Sequence, residues 1–161
     1  MVLIDSKRPF IMLSVAVALM LFIVVIYQQY QKNEERGIIT IYTGAGPVKI
    51  RVEYAQTPEK QKQGLMRRAS ISKNYGMLFI FPNEERQSFW MKDTLLPLDL
   101  LFISSKGDIN EITSLLPCPP ETFNCPVYES KNPARFVLEV NAGFAERNKI
   151  IESDILEISG F

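Results

Sequence analysis

Hydrophobic and polar residues divide the chain into one long apolar run near its start and a longer region of short alternating segments. The run from Phe10 to Tyr27 spans 18 residues, and only Ser14 and Tyr27 within it are polar. This is close to the length that a helix needs to cross a hydrocarbon core of roughly 30 Å when interfacial residues extend it. We therefore predict a transmembrane signal anchor over residues 10–30.

The charges beside this run predict its orientation. Lys7 and Arg8 precede it, whereas the segment after it mixes both signs. Because positive flanking residues stay in the cytoplasm, residues 1–9 are expected inside, and a linker over residues 31–37 leads to an extracytoplasmic domain over residues 38–161. A cleaved signal peptide is the alternative, but the run is longer than a usual signal-peptide core and no small-x-small cleavage site follows it.

Within the domain, apolar residues recur at alternate positions, as in strands with one buried face. The alternation is clearest from Val48 to Tyr54, after which Thr57-Pro58-Glu59 predicts the start of a short helix that Gly64 ends. Further strands are predicted at 76–81 (ended by Pro82), 89–92, 99–103, 108–112, 134–140 and 155–158, with a helical turn at 141–147. About seven short strands with one or two short helices predict a mainly β domain, either a compact β-sandwich or a small barrel.

Five motifs follow one another along this domain: Thr-Pro-Glu, Gln-Gly-Leu-Met-Arg-Arg, Gly-Met-Leu-Phe-x-Phe, Phe-Trp-Met-Lys-x-Thr-x-x-Pro-Leu-Asp and Pro-Ala-Arg-Phe-Val-Leu-Glu-Val-Asn-Ala-Gly. In this order they closely resemble the domain of unknown function DUF192, from roughly Val48 to Ile158. The resemblance implies a compact, β-rich, sandwich-like fold that is often exported and has no established activity. The sequence departs from the family's usual pattern at Phe144, where Trp is frequent, and at Lys149 and Ser153, where Gly is frequent, so the resemblance does not predict the turn geometry near the C-terminus.

Composition excludes several classes of function. The chain has no histidine, so imidazole cannot serve as a base or a metal ligand, and catalytic triads that depend on it are excluded. Lys plus Arg and Asp plus Glu number 18 each, which leaves no net positive field to attract nucleic acid. We expect no nucleic-acid partner.

The two cysteines, Cys118 and Cys125, flank prolines in a segment without periodicity. In an oxidising compartment such a pair favours a structural disulfide. A redox pair is the alternative, but it would need the C-x-x-C spacing, whereas six residues separate these two.

The stretch Ser88 to Ile103 contains the chain's only tryptophan and mixes large apolar residues with polar ones. Such a mixture, together with polar residues of a later strand, is typical of a shallow pocket with convergent polar groups. The candidate ligand-binding residues are Trp90, Met91, Lys92, Thr94, Asp99, Arg135 and Glu139.

A purely structural role for the same residues is the alternative. Trp90 would pack in the core, Lys92 would extend along apolar surface to water, and Asp99 would cap a turn after Pro97. Arg135 and Glu139, four apart on one strand face, could simply pair with each other.

The function class that best fits these features is a membrane-tethered extracytoplasmic binding or interaction module for an unknown protein or small-molecule ligand. It requires no catalytic residue, cofactor or metal. A hydrolase is the first alternative, with paired carboxylates or a Ser and Lys dyad whose amine is desolvated. Thioether binding of Cu(I) is the second. The groups concerned are Asp93 with Asp99, Glu139 with Glu146, and Ser88 with Lys92 for the hydrolase, and Met66, Met77 and Met91 for copper.

Overall fold

The computed structural model describes residues 8–34, 36–119 and 124–158, with the side chains of the first helix described over residues 14–28. Contacts divide the chain into two units, residues 1–35 and 36–161. Among the described residues the elements are α1 Arg8–Glu34, β1 Arg36–Thr43, β2 Gly46–Ala55, α2 Pro58–Gln63, β3 Tyr75–Glu85, β4 Ser88–Trp90, β5 Leu98–Ile103, β6 Ile109–Leu115, β7 Val127–Glu129, β8 Ala134–Asn141, α3 Phe144–Arg147 and β9 Ile155–Ile158.

The first unit contains α1, whose described large apolar side chains are exposed from Val15 to Ile26. Over the described residues, no helix combines the length and the apolar character that crossing a membrane requires. The predicted anchor at 10–30 is described with its side chains only over residues 14–28. Most of the predicted cytoplasmic segment at 1–9 lies outside the described residues. Because α1 continues to Glu34 and β1 begins at Arg36, helix and strand occupy most of the predicted linker.

The second unit is built on one mixed sheet of seven strands in the order β6-β5-β8-β3-β2-β1-β9. Neighbouring strands are antiparallel except β2 and β3, which run parallel. Parallel neighbours need a crossover connection, and α2 with the turn after it provides one. The predicted mainly β class with short helices is confirmed, and the crossover places α2 beside the cleft described below.

The predicted closed barrel is wrong, although the sheet curls until its two edges approach. The edge strands meet near Asp108 and Ile155, which form an isolated bridge, and the Leu156 N–H donates to the Gly107 carbonyl at 2.8 Å. The contact is confined to this corner, and over the described residues β6 and β9 are otherwise the two unpaired edges of the sheet, at opposite ends of the strand order. The predicted sandwich is also only approximate, because the second layer is a two-stranded ribbon of β4 and β7.

Side chains alternate across the sheet and form two core clusters. The first, on the face that also receives α3, contains Leu101, Leu138 and Phe144. The second, on the face that receives the β4–β7 ribbon, contains Phe79 and Phe102, with Phe89 and Tyr128 of the ribbon packed against it. Each strand of the sheet's centre is therefore covered on both faces.

Short-range signals in the sequence predict the helix at residue 58 well. The Thr57 hydroxyl accepts a hydrogen bond from the Lys60 N–H at 3.3 Å, and Gly64 ends the helix with a φ of 49°. The predicted start and end of α2 are confirmed. Pro82 interrupts the pairing of β3, as predicted, because the regular register with β8 stops at Ile80 and resumes only at Glu85. The strand itself continues beyond the proline to Glu85.

The predicted disulfide is absent, and Cys118 and Cys125 are not joined. Both are partly buried and pack against the second core cluster as small apolar side chains. They line one apolar groove with Met91, Leu115 and other residues.

Two residues near the C-terminus adopt the left-handed backbone conformation that glycine usually occupies, although neither is glycine. Lys149 and Ser153 have φ values of 55° and 80°. The turn's hydrogen bonds are nevertheless made, since Ile150 N–H donates to the Ala145 carbonyl and Ser153 N–H to the Ile109 carbonyl, both at 2.9 Å. The departures from glycine therefore leave two side chains in a left-handed conformation that costs each roughly 1–2 kcal/mol.

Candidate functional site

A cleft of about 230 Å³ opens between α2 with its following turn and the strands β3 and β4. One wall is aromatic, formed by Phe79, Phe81, Phe89 and Trp90, and polar residues of α2 and β4 line much of the rest. The Phe89 ring meets Phe79 edge to face with 5.1 Å between ring centroids, and it meets Phe81 in the same way at 6.4 Å. These edge-to-face contacts stabilise a rigid apolar wall.

Glu139 of β8 lies at the floor of this cleft. It is 6% exposed, and its Oε2 atom is buried with no hydrogen-bond partner. Burial raises the pKa of this carboxyl to about 8, against smaller lowering effects from the Leu65 N–H and the Arg68 charge. At neutral pH the floor of the cleft therefore carries a neutral carboxylic acid.

Glu111 shows that burial alone does not leave a glutamate unpartnered in this fold. Glu111 is 2% exposed, and its carboxylate accepts hydrogen bonds from the Tyr128 hydroxyl and, at 2.7 Å, from the Lys131 N–H. Buried polar groups are normally satisfied in this way. The unpartnered oxygen of Glu139 is therefore the exception that needs an explanation.

The turn after α2 brings backbone close to that carboxyl. Gly64 has a φ of 49° and a ψ of −138°, a conformation that side chains disfavour. A Cβ placed there would lie 3.5 Å from Glu139 Oε2 and 3.4 Å from Phe79 Cζ. Glycine thus leaves open the space directly in front of the acid.

The neighbouring cation, Arg68, forms a salt bridge with Glu53. Arg68 donates to both carboxylate oxygens of Glu53, at 3.0 and 2.8 Å, and the Tyr75 hydroxyl donates to Glu53 as well. The Arg68 hydrogen bond lowers the pKa of Glu53 more than burial raises it. The Arg68 guanidinium is thereby directed to Glu53, so its charge reaches Glu139 only at longer range.

Three of the seven predicted ligand-binding residues come together in this cleft: Trp90, Thr94 and Glu139. Trp90 is partly exposed and Thr94 is buried. Lys92 lies outside the lining but close by, with Nζ 5.3 Å from the centroid of the Trp90 ring. It is solvent-exposed.

The other three lie elsewhere. Met91 turns away from the cleft into the apolar groove beside the cysteines. Arg135 is exposed and borders a separate depression with Ser105 and Lys106, so it does not supply the partner that Glu139 Oε2 lacks.

Asp99 faces the opposite side of the sheet. Its carboxylate accepts from the Ala145 N–H at 3.0 Å and from the Ser114 hydroxyl at 2.6 Å. By strand alternation it shares the face of Leu101, whereas Glu139 shares the face of Val137. Asp99 therefore stabilises the start of α3 and takes no part in the cleft.

The groups required by the two alternative functions are not brought together. Asp93 pairs at the surface with Arg67 at 3.3 Å, Asp99 is buried on the other face, Glu146 is exposed on α3, and Lys92 lacks the desolvation that a catalytic amine needs. Met66 lines the cleft, Met77 lies in the core and Met91 lies in the groove. Over the described residues, no group of three or more His, Cys, Asp or Glu is placed to hold a metal ion.

Two parts of the cleft were not predicted from the sequence. They are the aromatic wall of β3 and Phe89, and the lining residues of α2 and its turn, namely Gln61, Lys62, Gln63, Gly64, Leu65 and Met66. One signal was present: a glycine that ends a helix immediately before Leu and Met marks a point where backbone can approach a site. Gln61 also fixes α2 in place, since its Nε2 donates to the Ile80 carbonyl at 3.0 Å.

The amino-acid sequence was compared with protein families and with curated proteins. The sequence model of DUF192, described as an uncharacterized ACR, matches residues 39–158. No curated protein matches the chain.

Two solved structures are similar over most of the chain. One, from Sinorhizobium meliloti 1021, is provisionally described as a transcription regulator; it is 35% identical, has a TM-score of 0.71, and is aligned over 78% of this chain and 95% of its own. The other, a protein of unknown function from Novosphingobium aromaticivorans DSM 12444, is 28% identical with a TM-score of 0.66, over 74% of this chain and 83% of its own.

Proposed function

The chain belongs to the DUF192 family, and on that premise we propose that residues 38–161 form a binding module whose ligand enters the cleft above Glu139. The observation that carries this proposal is the buried, unpartnered Oε2 atom at the floor of an aromatic cleft. Leaving a polar group unsatisfied in the interior costs about 1–3 kcal/mol. A ligand that hydrogen-bonds to Glu139 recovers that free energy when it binds.

The size of the cleft indicates the size of the ligand. Sites for drug-sized molecules have volumes of roughly 300–1,000 Å³, and this cleft has about 230 Å³. An aromatic wall beside the buried polar groups of Thr94 and Glu139 suits a small molecule with an apolar body and a polar end. We propose no nucleic-acid partner, because basic and acidic residues balance at 18 each.

A ligand-observed NMR screen with small aromatic fragments tests the cleft directly. We expect binders whose affinity falls at least tenfold in the Trp90→Ala variant, because that change removes one wall. Tyr42→Ala is the matched control, since Tyr42 is another exposed aromatic residue that lies on β1 and does not line the cleft. Fragments that bind wild type and Trp90→Ala equally would place the binding site elsewhere.

We also propose that the module acts outside the cytoplasm and is tethered by its N-terminal segment. Support comes from the amino-acid sequence, which has an 18-residue apolar run at Phe10 to Tyr27 behind Lys7 and Arg8. Tethering would concentrate the module at the membrane surface, where its ligand would be captured.

Cell fractionation tests the tether. Full-length protein expressed in bacteria should remain in the membrane pellet after alkaline carbonate extraction, and protease added to spheroplasts should digest the domain. A variant with Val17 and Val24 both changed to Lys should be released, because a charge at the centre of a membrane helix costs about 2.5–3.5 kcal/mol. Extraction of the wild-type chain by carbonate would contradict the proposal.

A further inference from the structure

We propose that the ligand of the cleft is a small primary organic ammonium ion, whose N–H groups donate to Glu139 while its carbon body packs against the aromatic wall. This inference rests on the proposed function, since it assigns the chemistry of the ligand to the same cleft. Both ends of such a ligand have a counterpart among the described residues.

The charged end matches the floor of the cleft. Glu139 is 94% buried, and its Oε2 atom has no donor within the described part of the chain. Glu111 shows what the fold does with a glutamate that needs no ligand, since a hydroxyl and a backbone N–H satisfy it internally. An ammonium group has three donors and no acceptor, so it supplies the donor that Glu139 Oε2 lacks and brings no acceptor that would itself need a donor.

The walls also favour a cation. Aromatic faces attract ammonium groups within about 6 Å of the ring centroid. The Trp90 ring already does so, because Lys92 Nζ lies 5.3 Å from its centroid. Phe79, Phe81 and Phe89 add further aromatic surface to the cleft that Glu139 lines.

Few other charges face Glu139. On its own sheet its neighbours across the pairing are Met77 of β3 and Leu100 of β5, which are uncharged. From α2 and its turn, Arg68 acts on Glu139 but is held by Glu53, and Lys62 lines the mouth with an exposed side chain that water screens.

From the β4 side, Trp90 and Thr94 are uncharged, and the Thr94 hydroxyl already donates to the Lys92 carbonyl at 3.3 Å. Among the described residues that line the cleft, a ligand cation therefore meets one carboxyl group and no competing acid.

Binding of an ammonium ion is then coupled to loss of a proton. Glu139 is a neutral acid at pH 7, because burial raises its pKa to about 8. When the cation binds, the Glu139 O–H bond breaks, the proton passes to solvent, and the carboxylate pairs with the intact ammonium. No bond in the ligand changes, and the charges balance.

The test uses the full-length protein with three probes of one shape: benzylammonium, benzyl alcohol and benzyltrimethylammonium. Binding is followed through the fluorescence of Trp90, the chain's only tryptophan. Calorimetry in two buffers of different ionisation enthalpy measures the protons released. We expect benzylammonium to bind with an affinity that rises about tenfold per pH unit from pH 6 to 8 and then levels off, and to release close to one proton at pH 7.

The variant Glu139→Gln keeps the shape of the side chain and removes the acid. We expect it to lose benzylammonium affinity at least tenfold at pH 8 and to lose the pH dependence. Benzyltrimethylammonium, which has no N–H donor, should bind more weakly than benzylammonium to the wild type.

The outcomes separate this inference from the proposed function. If benzyl alcohol binds as tightly as benzylammonium, with no proton release, the cleft is a binding site but the ammonium assignment is wrong. If Glu139→Gln binds benzylammonium with unchanged affinity and pH dependence, the assignment is wrong as well. If none of the probes alters Trp90 fluorescence or produces heat, both the assignment and the proposed cleft are overturned.

Discussion

Glu139→Gln is expected to stabilise the protein by about 3 kcal/mol more at pH 8 than at pH 5. The carboxyl has a pKa of about 8 in the folded protein against an ordinary value of 4.5. A folded-state pKa that is raised means that the folded protein holds the proton more tightly than the unfolded chain does. The contribution of the neutral carboxyl to the free energy of unfolding is therefore fully present below about pH 4.5. It decreases as the pH rises toward 8, because folding then requires either uptake of a proton or burial of a carboxylate.

Glutamine stays neutral at both pH values, so the variant avoids this loss. Urea unfolding of wild type and variant at pH 5, 6, 7 and 8 measures the difference, and contributions from other titrating groups such as Glu53 cancel between the two proteins. Glu146→Gln is the control, because Glu146 is exposed on α3 and its replacement should change stability by no more than about 0.5 kcal/mol at any pH. A pH-independent difference between wild type and Glu139→Gln would show that the carboxyl is not buried as a neutral acid.

The second large effect is expected at the corner where the sheet edges meet. Gly107→Ala should lower the free energy of unfolding by about 2–4 kcal/mol. Gly107 has a φ of 95°, and a Cβ there would lie 2.5 Å from the Leu156 carbonyl oxygen. That oxygen belongs to backbone, which cannot rotate away as a side chain could, so the contact between the β5–β6 turn and β9 must open.

Gly44 provides a matched control, because it also lies in a turn between strands and a Cβ there meets nothing within 4 Å. Gly44→Ala should stay within about 0.5 kcal/mol of the wild type. Chemical denaturation of both variants decides the matter, and amide exchange at Leu156 reports whether the corner itself has opened. Equal stabilities for the two variants would show that the edge contact contributes little.

Local patterns in the sequence predict much of the fold. Alternation from Val48 to Tyr54 and the Thr57 cap depend on neighbours a few residues away, and β2 and α2 form where these signals place them. The short strand β7 has only three residues, and its pairing partner is β4, some 40 residues earlier. A segment so short carries no periodicity from which a strand could be predicted.

The site was predicted less completely because it depends on which face of the sheet each residue occupies. Asp99 and Glu139 lie on adjacent strands, and β5, which reads Leu-Asp-Leu-Leu-Phe-Ile, is buried along its whole length. Its sequence therefore contains no polar side that would place Asp99 on one face or the other. Pairing of Leu100 with Glu139 puts Asp99 one position away and therefore on the opposite face. The approach of the α2 turn to Glu139 is a contact between distant parts of the chain, and only the crossover from β2 to β3 brings it about.

The place of β9 beside β1 has a consequence for how the domain is made. Ile39 pairs with Ile158, so one edge of β1 stays open until the last strand has left the ribosome. At about 5–20 residues per second, synthesis of the intervening chain takes on the order of ten seconds. During that interval β1 exposes unpaired backbone next to Ile39 and Ile41, which are fully buried in the finished fold. Nascent chains that stop before Ile155 should therefore be the ones that chaperones retain and that aggregate when chaperones are scarce.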